Sequence, residues 1–128
     1  MIFQCYLPIF AIWFCYLAIS VIKVRKKFKI GIGEGDCDEL KRAIRIHGNF
    51  VENIPFAIIL LIALELCSGD EIFLHLAYIT LFVGRIAHFY GLKFTEMKKI
   101  FFPRVFGMAL TFTAILSSAF YLFVIKII

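Results

Sequence analysis

The sequence predicts an all-α integral membrane protein, one domain over residues 1–128, folded as an antiparallel four-helix bundle. Three observations carry this expectation. Of the 128 residues, 62% are hydrophobic and the mean hydropathy is +0.94, whereas soluble domains are roughly 45–50% apolar. Sixteen phenylalanines are more than the interior of so short a chain can hide. The net charge of +5 is also unevenly spread: eight of the fourteen Lys and Arg lie between Lys23 and Arg45, and four more between Lys93 and Arg104. Basic clusters flanking apolar runs follow the positive-inside rule. Together these features exclude a soluble globule, a disordered chain and a nucleic-acid module. Cys5, Cys15 and Cys67 sit in or beside apolar runs, and no two cysteines have a metal-ligand or disulfide-framework spacing. No metal is expected.

The first helix is expected at about residues 2–24. Ile2 to Ile22 carries no charge and is long enough to cross a hydrocarbon core of about 30 Å. Its basic residues follow the run instead of preceding it, and no small-residue cleavage site is present. It therefore reads as a retained helix with its N-terminus outside, not as a signal peptide. The second helix is expected over 38–66, with Asp36 as N-cap and Glu39 completing a capping box. At 1.5 Å per residue it reaches about 42 Å, so it either projects past the bilayer or lines a polar cavity. Arg42, Arg45, His47, Asn49 and Glu52 fall in its first half, and Asn53 to Leu64 is uncharged.

An acidic turn, Cys67 to Glu71, without Lys or Arg suits an outside loop. The third helix, about 72–92, bears Arg85 and His88 in its last two turns, and Lys93 to Phe102 forms a basic inside loop. Pro103 suits the first turn of a fourth helix, about 103–126, which is uncharged from Val105 to Ile125. Both termini are expected outside and both basic loops on the cytoplasmic side of a multi-pass protein.

Function turns on the charges that enter the membrane. At 100° per residue, Arg42, Arg45, Asn49 and Glu52 share an arc of about 80°. Arg85 and His88 share a face of the third helix, with Tyr78 on the same side. Each ionisable group near the midplane costs at least about 2.5–3.5 kcal/mol, so such groups pair or line a polar cavity. One reading is structural: Arg45 or Arg85 pairs with Glu52 to lock helices, while Arg42 snorkels to the interface. The other is a cationic pocket with one carboxylate at the inner face, holding an anionic ligand. The cations outnumber the one Glu, and Pro55 frees the carbonyl of Val51 beside it. In a monomer Arg45 and Glu52 would face lipid, so assembly is expected. Gly84, Ala87, Gly107, Ala109 and Ala114 allow close helix approach.

The stretch from Arg42 through Arg45, His47, Asn49 and Glu52 to Pro55 resembles the signature of the MAPEG family, the membrane-associated proteins in eicosanoid and glutathione metabolism. Gly84-Arg85 with His88 resembles the family's third-helix motif, and Pro103-Arg104 with Gly107-Met108 its entry to helix four. The Gly31–Asp36 loop is similar to the small bacterial members. It follows no predicted strand, so it is not read as a nucleotide loop. The likeness spans roughly residues 25 to 110.

This resemblance implies a homotrimer of four-helix bundles in a bacterial inner membrane, with glutathione held as co-substrate between protomers near the cytosolic face. Arg45, His47, Asn49, Glu52, Arg85, His88 and Tyr90 would form the glutathione site, with Glu52 taking the α-amino group. His47 points about 160–200° away from Arg45 and Glu52, so it would serve a neighbouring subunit or be structural. A thiol of pKa about 8.5 is only slightly ionised at neutral pH, and a fixed cation stabilises its thiolate. Arg104 is the counterpart of the family's thiolate-stabilising arginine, with Lys98 or Lys99 as substitutes. Gly48, Asn53 and Leu92 depart from residues common in the family. The implied activity is a transferase or peroxidase acting on hydrophobic electrophiles that enter from membrane lipid. The alternative is a non-catalytic lipid-binding or scaffold protein with the same architecture. A transporter is disfavoured, because a pocket at helix ends offers no midplane pathway.

Overall fold

The computed structural model describes residues 1–67 and 69–127. Ser68, within the expected outside turn, and Ile128 lie outside the described residues. These residues form four helices and no strand: α1 (Phe3–Phe28), α2 (Asp38–Leu66), α3 (Glu71–Tyr90) and α4 (Phe102–Ile127). All four are long and apolar enough to cross a membrane, α3 when counted through to Lys98. Large apolar side chains such as Ile12, Ile59, Leu116 and Phe120 stand outward along them, as a lipid-facing surface requires. The helices are those of a multi-pass membrane protein.

Local chemistry sets the helix ends. α1 runs to Phe28 rather than stopping near residue 24, because Arg25, Lys26 and Lys27 in its last turn oppose the negative end of the helix dipole. Lys29 then turns left-handed (φ 56°), and its N–H reaches the carbonyls of Arg25 and Lys26. Asp36 does not cap α2. Cys37 occupies that position without a side-chain bond, and Glu39 is drawn instead to Lys27 Nζ at 2.8 Å. The capping box gives way to a tie between the end of α1 and the start of α2.

α3 ends at Tyr90, two residues before the expected boundary, and widens into a π turn (Gly91–Thr95) followed by a 3-10 turn (Glu96–Lys98). The change begins where a Cβ on Gly91 would lie 2.5 Å from the Arg104 backbone nitrogen. The Thr95 hydroxyl fixes the turn, lying 3.1 Å from the Gly91 carbonyl oxygen and 2.8 Å from that of Ile100.

The helices run up and down. Glu65, late in α2, accepts the N–H groups of Ile2 (2.5 Å) and Phe3 (3.0 Å) at the start of α1. Asp70 caps α3 by accepting from Phe73 N–H at 2.8 Å, and donates its own N–H to Tyr121 near the end of α4. The N-terminus, the α2–α3 turn and the end of α4 therefore share one end of the bundle. The two basic loops share the other.

α2 is central and packs against α1, α3 and α4, while α3 packs most closely on α4. That crossing is set by two glycines: a Cβ on Gly84 would lie 2.9 Å from the Gly107 carbonyl oxygen, and one on Gly107 only 2.5 Å from that of Gly84. Gly84, Gly107 and the buried Ala114 thus serve packing inside one chain, whereas Ala109 stays exposed. α1 meets α3 through rings: Tyr6 stacks on Tyr78 (4.7 Å between centroids), and Trp13 contacts Phe82 (5.5 Å) and Phe89 (6.0 Å) edge-on.

Replacing Glu65 with alanine should cost about 1.5–3 kcal/mol, the range for hydrogen bonds to a charged group. The expected readout is a lower thermal midpoint in detergent, with faster hydrogen exchange confined to the first amides of α1. Unchanged exchange at Ile2 and Phe3 would rule the cap out.

Candidate functional site

The polar arc of α2 divides among three environments. Asn49 turns inward and is buried. Its side-chain oxygen accepts a hydrogen bond from Arg85 Nη1 on α3 at 2.5 Å. Arg85 Nη2 donates to the Thr111 hydroxyl and to the Gly107 carbonyl (3.3 Å), both on α4. One guanidinium therefore joins three helices. No carboxylate pairs with it among the described residues, so carbonyl, amide and hydroxyl dipoles balance the buried cation. Arg85 commits both terminal nitrogens to Asn49 and α4, while its buried Nε has no partner among the described residues. Glu52 is not a partner of Arg85.

Arg45 and Glu52 face the opposite way. Their side chains are 59% and 58% exposed, and they pair loosely, Nη1 to Oε1 at 3.9 Å. Two opposite charges thus stand uncovered by their own chain on a membrane-spanning helix. Pro55 is exposed one turn further on.

Arg42 takes a third direction. It lines a cavity of about 400 Å³ between α1, α2 and the end of α3, with Lys23 and Lys93.

The remaining candidates scatter. His47 turns towards α1, its ring 5.4 Å from that of Phe14, away from Arg45 and Glu52 as helical geometry requires. His88 is buried, within electrostatic reach of Arg85, Arg104 and Arg45. Tyr90 is half exposed, its ring 5.4 Å from Phe94. Arg104, in the first turn of α4, binds Glu96 at 2.8 Å. Lys98 and Lys99 are exposed.

Sequence reasoning missed two partners, Thr111 and Glu96. Thr111 lies four residues beyond Gly107, and its hydroxyl also meets that carbonyl at 2.9 Å. This spacing on one helix face was a usable signal. Nothing local marks Glu96, because the π and 3-10 turns that aim it at Arg104 arise from tertiary packing.

The family model described as the MAPEG family matches residues 3–124 of the chain. Inner membrane protein YecN of Escherichia coli strain K12 is 34% identical over 116 residues, covering 91% of this chain and 86% of that protein. The protein of the same name in the O6:H1 strain CFT073 matches with the same figures. No solved structure matches.

Proposed function

Since the chain belongs to the MAPEG family, we propose that it is a glutathione-dependent transferase or peroxidase of a bacterial inner membrane. It would work as a homotrimer on hydrophobic electrophiles drawn from the lipid. The observation that carries the reading is the Arg45–Glu52 pair, loose and more than half exposed on a membrane-spanning helix. Ions at that depth need a protein or ligand cover. A neighbouring protomer supplies the wall, and a zwitterionic peptide supplies the matching charges. Glutathione fits chemically: its α-ammonium suits Glu52 and its carboxylates suit Arg45. Asn49 and Arg85, bound to each other, hold the wall behind that face. The excess of Lys and Arg in the two basic loops supports a cytoplasmic placement for them and outside termini.

Bound glutathione supplies the thiol, and the chain's task is to hold its thiolate. Arg104 stands at the N-terminal end of α4, where the helix dipole adds to its charge. One observation favours the second reading, a non-catalytic lipid-binding or scaffold protein: Glu96 already holds Arg104 at 2.8 Å and partly neutralises it.

The test is glutathione binding to the detergent-solubilised protein, by calorimetry, with and without Glu52→Gln. Loss of a charge-assisted hydrogen bond of about 1.5–3 kcal/mol should weaken binding roughly tenfold to a hundredfold. An unaltered affinity, or full binding by a strictly monomeric species, would overturn the proposal.

A further inference from the structure

The cavity at the basic end of the bundle belongs to a single chain and includes neither Arg45 nor Glu52. Lys23 from α1, Arg42 from α2 and Lys93 beyond α3 stand around it, over an apolar floor of Leu17, Ile46 and Phe89. One carboxylate lines it, Glu39, and that group is already held by Lys27 at 2.8 Å. None of the three cations has a carboxylate partner among the described residues. Lys93 instead lies over the rings of Phe89 (5.0 Å) and Phe94 (5.4 Å), contacts that place its charge without neutralising it.

Phe89 is also the junction to a second space. A trough of about 380 Å³ runs from it along the outer face of α1, between Ile9, Ile12, Trp13 and Tyr16. Every residue of that trough is aromatic or aliphatic, and Ile9, Ile12 and Tyr16 stand exposed on the outside of the bundle. A free anion would satisfy the cations and leave the trough empty. A neutral hydrocarbon would fill the trough and leave three cations unmatched. An amphiphile with a phosphate head and an acyl chain matches both.

We infer that this protein carries a site for one anionic glycerophospholipid per chain, its phosphate between Lys23, Arg42 and Lys93 and an acyl chain along the α1–α3 trough. Basic pockets between transmembrane helices bind anionic headgroups on this principle. The occupied site would splint α1 to α3 near their basic ends, adding to the ring contacts and to the Tyr6–His75 hydrogen bond (2.8 Å) that joins them nearer the other end.

Trp13 lines the trough and is the sole tryptophan, so it reports on occupancy. The full-length protein in phosphatidylcholine vesicles would be titrated with phosphatidylglycerol brominated on its acyl chains, and in parallel with brominated phosphatidylcholine. Each cation near an anionic head is worth about fivefold in affinity. Phosphatidylglycerol should therefore quench Trp13 at a mole fraction lower by on the order of a hundredfold for three such cations. The double change Arg42→Gln and Lys93→Gln should cut that preference about 25-fold, while Lys126→Gln at the opposite end leaves it unchanged. Added salt should erode the preference of the unaltered protein, a check that needs no variant. Equal quenching by the two lipids would overturn the assignment. So would displacement of the brominated lipid by millimolar inorganic phosphate or glutathione, which would give the cavity to a soluble anion.

Discussion

Replacing Gly107 with valine should separate α3 from α4 and cost about 3 kcal/mol or more, at the upper end of overpacking penalties. The reason is what the new atoms would meet. A Cβ at this position falls 2.5 Å from both the Gly84 carbonyl oxygen and the His88 backbone nitrogen, and backbone of a packed helix cannot rotate aside as a side chain does. Separation also pulls the Gly107 carbonyl and the Thr111 hydroxyl away from Arg85, leaving a buried cation short of partners. The expected readout is a thermal midpoint in detergent lowered by about 10 °C. Gly84→Ala should act on the same contact, since its Cβ would lie 2.9 Å from the Gly107 carbonyl oxygen. The pair should be less than additive, because once the helices part the second side chain meets open space. Strictly additive losses would place the two glycines in separate contacts.

The other large effect belongs to Arg104. If it stabilises the thiolate of bound glutathione, Arg104→Ala should raise that thiol's pKa by about one to two units, each worth about 1.4 kcal/mol. At neutral pH the thiolate population would then fall roughly tenfold to a hundredfold. Glutathione affinity should change far less, since Arg45 and Glu52 remain. Glu96→Gln should act in the opposite direction: it removes the carboxylate 2.8 Å from the guanidinium and frees its charge, so the thiol pKa should drop. Ultraviolet thiolate absorbance, titrated in the complex, follows both variants. Opposite shifts would place Arg104 at the sulfur. No shift in either would pass the role to Lys98 or Lys99, and no thiolate signal in the unaltered protein would favour the non-catalytic reading.

The four spans were legible because apolar run length and the placement of Lys and Arg are properties of the chain itself. The polar arc on the second helix was legible as an angle and no further. Helical periodicity puts Arg42, Arg45, Asn49 and Glu52 within one sector, but which neighbour meets each edge depends on where α1, α3 and α4 stand. In the folded chain Asn49 faces Arg85, Arg42 opens on the α1 cavity, and Arg45 and Glu52 face outward. One predicted pocket becomes three environments. The glycines show the same limit: their smallness was plain, but not that Gly84 and Gly107 would be used against each other within one chain. Glu96 and Glu65 were invisible as partners because each acts across a turn or a helix pair.

Glu65 also bears on the order in which the protein can be made. The first four N–H groups of a helix have no partner within it, and a bilayer core offers no water to stand in. Here Gln4 and Cys5 turn back to the carbonyls of Met1 and Ile2, while Ile2 and Phe3 depend on Glu65. A ribosome releases the first span long before that carboxylate exists, so the nascent segment emerges with two donors owing their partner to residues still untranslated. The cap closes only once the second span is made, so this contact can form no earlier than the α1–α2 hairpin itself.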